Sequence, residues 1–271
     1  MSLPNIPLPN MPLPSVSLPS LLAVHAHPDD ESLFSGGVLA QHAAAGARTA
    51  VVTTTWVEGS HRVTELARAL EILGAGAPRL LGYADARVPH SAPGRPRFVD
   101  APLDEAVGAL VGHIRAVRPQ VVIAPDAYGG MTGHPDHVHT HRVTALAVRA
   151  AGLARLFPAA GDPWQPSALY LATHPQSAAE EVGGRLGREG TPAGTFYVSD
   201  DAWITTKVDV GPWLHQKLAA ILAHRSEVER GAAPGRIAAL PTDVQRRILG
   251  TEWYIRRDLV LRGAAETALR A

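Results

Sequence analysis

The chain has 271 residues, balances 25 basic against 25 acidic side chains, contains no cysteine and is 46% hydrophobic. That length and composition suit one large domain with a real core, and exclude both a disulfide framework and a thiolate metal site. Zero net charge argues against nucleic acid or an anionic membrane as an obligate partner, and no apolar run approaches the ~20 residues of a membrane span.

Residues 1–20, MSLPNIPLPNMPLPSVSLPS, place a proline every few positions and read as a Pro-rich disordered or polyproline-like tail. They lack the basic start and unbroken apolar stretch of a signal peptide, so a cytoplasmic location is expected. Residues 21–271 read as one domain. It opens on Leu21–Glu31, LLAVHAHPDDE, a short apolar run ending in two histidines, a proline and three acids. Such a run, bounded by turn residues, reads as a buried strand that spends its C-terminal end on polar groups.

Ser35–Gly46 follows as a helix with Gly46 at its end, then Arg48–Thr54 as a second strand and Val63–Leu73 as a second helix. Arg79–Gly82 is a short strand, and Ala84–Asp100 a long loop rich in Pro, Gly and Arg. Leu103–Val117 reads as an amphipathic helix and Gln120–Ala124 as a fourth strand. Ala168–Thr173 and Ala202–Val210 read as later strands, Pro212–Ser226 and Ile237–Leu249 as helices, and Thr251–Asp258 is ambiguous. The strand–helix rhythm predicts an α/β fold: a Rossmann-like, mostly parallel sheet with helices on both faces. The C-terminal third should pack against the sheet or cover the site, and is the least legible part.

A second polar cluster, Gly129–His141 (GGMTGHPDHVHTH), follows the fourth strand as the first cluster follows the first strand. Both therefore lie at carboxyl ends of strands in one sheet, where ligands bind. A catalytic zinc takes three protein ligands from imidazole and carboxylate and keeps one position for water. His27, Asp30 and His137 would supply that set. Asp29 is then free to take a proton from a bound water whose pKa the metal lowers to about 7. His134, on the approach to the same metal, would stabilise the oxyanion as an imidazolium and protonate the leaving amine. Asp136 suits holding an imidazole in orientation.

Simpler readings compete. Pro-Asp-Asp is also a helix start, with Asp29 or Asp30 as cap, but two such loops after two strands of one sheet are hard to explain as capping. His25 reads as a core histidine. His141 reads as packed or donating from behind the site, and His139, two residues from His137, faces away and is assigned nothing. A nucleotide-binding reading needs a glycine-rich loop where this chain is acidic, and no Gly-x-Ser-x-Gly elbow is present.

The pairing of AHPDDE (Ala26–Glu31) with GHPDHVHTH (Gly133–His141) resembles the PIG-L/LmbE-like zinc-dependent N-deacetylases, most of all their mycothiol-pathway N-acetylglucosaminyl-inositol deacetylases. The likeness runs from Leu21 to about Pro166 and includes GDPW at Gly161–Trp164. It implies a Rossmann-like fold and zinc, with ferrous iron also suited, held by His27, Asp30 and His137. It further implies Asp29 as general base, His134 as the acid that stabilises the tetrahedral intermediate, and Asp136 as the partner tuning His134. Arg62, in HRVTEL, resembles an arginine that contacts the substrate's polar aglycone. The family's acidic substrate contact in the loop after the third strand is replaced around Pro89–His90, which makes His90 a candidate substrate contact.

The expectation is metal-dependent hydrolysis of the N-acetyl amide of an amino sugar, either an N-acetylglucosamine-type glycoside or a natural-product intermediate. An amidase for a larger acyl group, such as a mycothiol conjugate, and a non-catalytic metabolite-binding protein stand as alternatives. The partner expected is a small-molecule N-acetyl amino sugar, with no nucleic acid and no membrane; a homo-oligomer is left open.

Overall fold

The computed structural model describes residues 17–186 and 196–260. Most of the expected tail, residues 1–16, lies outside the described residues. Ser20 already belongs to the folded body, its carbonyl accepting the N–H groups of Gln120 and Val121 at 3.0 Å each.

The first half runs β1 (Leu21–His25), α1 (Asp30–Ala44), β2 (Thr49–Thr55), α2 (His61–Leu73), β3 (Arg79–Tyr83), α3 (Leu103–Val117), β4 (Val121–Pro125) and α4 (Pro135–Ala150). The second half runs β5 (Ala168–Thr173), α5 (Gln176–Leu186), β6 (Thr206–Asp209), α6 (Leu214–Ala223), α7 (Arg225–Glu229), α8 (Ala233–Ala238), α9 (Thr242–Leu249) and β7 (Thr251–Asp258). The strands form one sheet in the order β3-β2-β1-β4-β5-β7-β6. β1 to β5 are mutually parallel, and β7 pairs antiparallel with both β5 and β6.

β1 is wholly buried because it has a neighbour on each edge and helices on both faces. Its side chains alternate between two cores. Leu22 and Val24 pack with Leu110, Ile114 and Val143 of α3 and α4, while Leu21 and Ala23 pack with Leu39, Leu66 and Leu70 of α1 and α2. α2 shows the local logic: Ser60 caps its start, Gly74 ends it in the left-handed conformation, and Val63, Leu66, Leu70 and Leu73 line one buried face. Burying each such side chain contributes about 1.5–3 kcal/mol. No described helix is long and apolar enough to cross a membrane.

The chain leaves β1 towards β2 and β3, then returns to β4 on its other edge. That reversal makes the gap beyond the carboxyl ends of β1 and β4 the switch point where open α/β sheets bind ligands. Both histidine–aspartate loops open there.

Differences from the sequence reading gather where polar side chains are buried or proline intervenes. α1 begins at Asp30, not Ser35, since Asp30 and Glu31 suit the positive end of the helix dipole. The expected helix 237–249 is two helices: Pro241 lacks the N–H needed to continue α8 and sits at the cap position of α9. The expected helix 212–226 breaks at His224. The expected strand 202–210 shortens to β6 behind a 3-10 turn at Asp201–Trp203. The ambiguous 251–258 is a strand of the sheet interior.

β7 ties the C-terminal third to α1 through Glu252, a residue only 3% exposed. Its carboxylate accepts the N–H groups of Gly37 (2.8 Å) and Val38 (3.1 Å), the Tyr254 hydroxyl (2.8 Å) and the Lys217 ammonium (2.8 Å).

Candidate active site

The apolar run of β1 ends at His25, which turns into the core as expected: its Nε2 lies 2.9 Å from Ser35 Oγ. Asp29 takes the cap position of α1 but makes no side-chain cap bond, and its backbone sits at φ 129°, outside the comfortable regions for a residue with a Cβ. Glu31 Oε2 holds its N–H at 3.0 Å. The Asp29 carboxylate is thereby kept off the helix end and meets Arg62 Nη2 at 2.9 Å. Asp30 Oδ2 folds back to accept the His27 N–H at 2.8 Å.

The loop after β4 is built by Asp126, whose Oδ1 accepts the N–H groups of Tyr128 and Gly130 at 3.0 and 2.9 Å. Gly129 is required there twice over: its φ is 77°, and a Cβ would lie 2.8 Å from Val138 and 3.1 Å from the His134 carbonyl. Its own carbonyl faces His137 Nδ1 at 3.2 Å. His134 caps α4, its Nδ1 accepting the Asp136 N–H at 3.2 Å, and Pro135 opens the helix.

The two loops bring His27, Asp30 and His137 together. His27 Nδ1 lies 3.1 Å from His137 Nε2 and 3.4 Å from Asp30 Oδ2, and His137 Nε2 lies 3.2 Å from Asp30 Oδ2. Each imidazole is oriented from its far side. His137 Nδ1 donates to the Gly129 carbonyl, and His27 Nε2 donates to Asp136 Oδ2 at 3.1 Å, with Asp85 Oδ2 at 3.3 Å. Once His27 gives up its Nδ1 proton, two lone pairs and a carboxylate oxygen converge on one point. Tetrahedral zinc with bonds of about 2.0–2.1 Å spaces its donors about 3.3 Å apart, close to the 3.1–3.4 Å between these three atoms.

His27, Asp85, His134 and Asp136 also cluster closely enough to hold an ion, as do His27, His134 and His137. In the four-residue group Asp136 Oδ2 accepts both the Ala86 N–H (2.9 Å) and His27 Nε2, while its Oδ1 is buried without a hydrogen-bond partner. That arrangement orients a ligand from behind, so the Nδ1 side of His27 is the better seat.

Burial works against a charged His27, but hydrogen bonds to Asp136 and Asp30, with the charges of Asp30 and Asp85, outweigh it and raise its pKa to about 10 in the metal-free protein. Burial would raise Asp30, yet the adjacent His137 and His27 hold it well below the usual carboxylate range. Asp29 is pushed up to about 6, chiefly by burial, with Arg62 pulling the other way and Asp30 adding to the rise. A buried carboxyl poised there suits general-base work near neutrality.

Burial, then the neighbouring His27 and His137, lower His134 to about 4. Nδ1 accepts a backbone N–H, which leaves Nε2–H as the donor of the ring. Asp136 also faces two imidazoles, and its charge raises the pKa of His134. The imidazole that it holds is His27, while His134 Nδ1 lies 3.7 Å away. Arg62, expected as an aglycone contact, is 5% exposed and committed to Asp29, to the Pro28 carbonyl and to Glu227 Oε1 at 3.3 Å, its guanidinium 5.0 Å from the Trp56 ring centroid. His90 lies exposed on the 3-10 turn Pro89–Ser91. The acid that the loop after β3 brings in is Asp85. His141 Nδ1 lies 2.9 Å from the Pro125 carbonyl, to which it donates, and His139 stacks edge-on to Phe98 at 4.6 Å.

Sequence reasoning passes over Asp85, Glu31, His224 and Glu227. Asp85 carries a signal, an acid just past a strand's carboxyl end, hidden in a loop that looks irregular. Glu31 and His224 form a fully buried pair at 2.8 Å behind Asp29. Glu31 lies in view within the motif, but nothing in the local sequence of His224 or Glu227 marks them.

The family model described as PIG-L, GlcNAc-PI de-N-acetylase, matches residues 22–148, the span holding both loops. The chain is 39% identical over 283 residues to a 1D-myo-inositol 2-acetamido-2-deoxy-alpha-D-glucopyranoside deacetylase of Rhodococcus jostii (strain RHA1), covering 90% of this chain and 92% of that one. It is 38% identical over 262 residues to the protein of the same name from Mycolicibacterium smegmatis, covering 87% and 89%. A conserved protein of Thermus thermophilus superposes with a TM-score of 0.62 at 27% identity, over 93% of this chain and 100% of that one. The N,N'-diacetylchitobiose deacetylase of Pyrococcus horikoshii shares the fold, with a TM-score of 0.60 at 19% identity over 93% and 87%.

Proposed function

The chain belongs to the PIG-L (GlcNAc-PI de-N-acetylase) family, and on that premise we propose that it hydrolyses the N-acetyl amide of an amino sugar, in the manner of a zinc-dependent deacetylase. The observation that carries the reading is the convergence of His27 Nδ1, His137 Nε2 and Asp30 Oδ2 within 3.1–3.4 Å, beside a buried carboxyl raised to about 6. An ion held by those three residues, zinc or ferrous iron, would polarise the amide carbonyl and make water nucleophilic near neutral pH.

The chain's own groups do the rest. Arg62 fixes Asp29 Oδ1, leaving Oδ2 to take a proton as the water oxygen adds to the amide carbon. His134 donates from Nε2 towards the carbonyl oxygen as negative charge develops there. As the C–N bond breaks, the proton held on Asp29 passes to the departing nitrogen, and the free amine and acetic acid result, the acid losing its remaining proton to solvent as acetate. Because His134 is neutral, Asp29 serves as base and then acid. Asp136 and the Gly129 carbonyl keep the two histidines in the required tautomers.

The Rhodococcus and Mycolicibacterium relatives are named as deacetylases of an inositol glycoside of a 2-acetamido sugar, and an N-acetylglucosamine-type glycoside is the substrate class proposed here. The test is acetate release from a panel of N-acetylglucosaminides with varied aglycones, using protein stripped by a chelator and then reloaded with zinc. Release that disappears on stripping and returns on reloading supports the reading. A fully loaded protein that releases acetate from none of the panel sinks it and favours a binding protein.

A further inference from the structure

Beside the converging donors stands Phe34, one helical turn beyond Asp30. Its ring meets that of His137 edge-on, with centroids 6.1 Å apart at 88°. Among the ring contacts of His27 and His137, the other partners are histidines, so Phe34 is the apolar ring against the centre. Phe34 also lines a cavity of about 120 Å³ whose lining includes none of the assigned metal ligands. Met131, Val182, Phe196, Leu249 and Trp253 make up much of the cavity's lining. The charged groups in that wall are Arg236, which donates to the Gly231 carbonyl, and Lys217 and Glu252, which neutralise one another.

We infer that Phe34 sets the acyl specificity of this site: it stands between the reacting carbonyl and an apolar cavity, confining the enzyme to acetyl and denying longer acyl chains a space that the fold already contains. The inference rests on the deacetylase reading. The carbonyl must lie at the three converging donors, and the sugar nitrogen must be reachable from Asp29. The methyl then takes the remaining apolar side, which is Phe34. An apolar cavity of about 150 Å³ holds benzene, so the space behind Phe34, enlarged by removal of the ring, holds about four further carbons. Each methylene seated in such a pocket is worth about tenfold or more in discrimination.

The experiment compares N-acetyl, N-butanoyl and N-hexanoyl glucosaminides on zinc-loaded wild type, Phe34→Ala and the milder Phe34→Leu, with acetate and hexanoate binding measured in parallel by calorimetry. Wild type should strongly prefer acetyl. In Phe34→Ala the hexanoyl-to-acetyl ratio of kcat/KM should rise by at least about tenfold, and hexanoate should bind tighter than acetate by about the same factor. Phe34→Leu should fall between. Adding Val182→Phe, which refills the cavity, should cancel the gain. If the ratio and the carboxylate preference are unchanged in both Phe34 variants, or if Val182→Phe leaves the gain intact, Phe34 is not the determinant. If no variant releases any acid, the deacetylase reading fails, and the carboxylate arm alone still decides whether Phe34 separates the centre from the cavity.

Discussion

The residues up to about 150 and the C-terminal third contribute to the same site in opposite ways. The first part supplies every group assigned to the chemistry: His27, Asp29 and Asp30 from one loop, His134 and His137 from the other. The C-terminal third supplies none of these, yet it holds the first loop from behind. His224 pairs with Glu31, which fixes the Asp29 N–H; Glu227 pairs with Arg62, which fixes the Asp29 carboxylate; Glu252 and Lys217 lock α1. The difference teaches that the strained Asp29, at φ 129°, is maintained by contacts from far downstream in the chain as well as by its own motif.

Perturbations can separate the two contributions. His137→Ala removes a converging donor, and metal content by elemental analysis should fall from about one ion per chain to near none, with activity lost accordingly. Lys217→Ala strikes the support instead. It leaves Glu252 buried and unpaired, which should destabilise the fold by about 3–5 kcal/mol in urea titration, while protein that remains folded still binds zinc. A stability change under about 1 kcal/mol would mean that Glu252 is satisfied without its cation.

Arg62→Gln lies between the two. Its guanidinium lowers the Asp29 pKa against the rise from burial, so its loss should reduce kcat by about 10–100-fold and move the acid limb of the pH profile upward, with zinc content unchanged. An aglycone contact would instead raise KM and leave the limb in place. The smallest effect is in the unmodified protein. The base works only when ionised, so kcat/KM should hold above the Asp29 pKa and decline as pH falls through about 6. A decline centred near the ordinary carboxylate value of about 4 would show that Asp29 is not desolvated during turnover.

The legibility of the sequence divides along the same line. β1, α3 and β5 can be read because local periodicity and turn residues determine them, and the two His-Pro-Asp loops because their spacing is chemical. The start of α1 is hidden because its first turn buries Asp30, Glu31 and Ser32, so polarity masks the helix. Arg62 looks like a substrate contact in the sequence because its burial against Asp29 and Glu227 depends on a helix that no local pattern connects to it. His134 can be located but not assigned a charge: its tautomer follows from an N–H two residues away that points into the ring only once α4 is capped.

Asp29→Asn tests the assignment of the base most directly, with metal content and acetate release measured on the same preparation. The substitution removes the proton acceptor and none of the converging donors. About one zinc per chain should remain while turnover falls at least about 100-fold. Near-wild-type acetate release from the zinc-loaded variant would contradict the assignment.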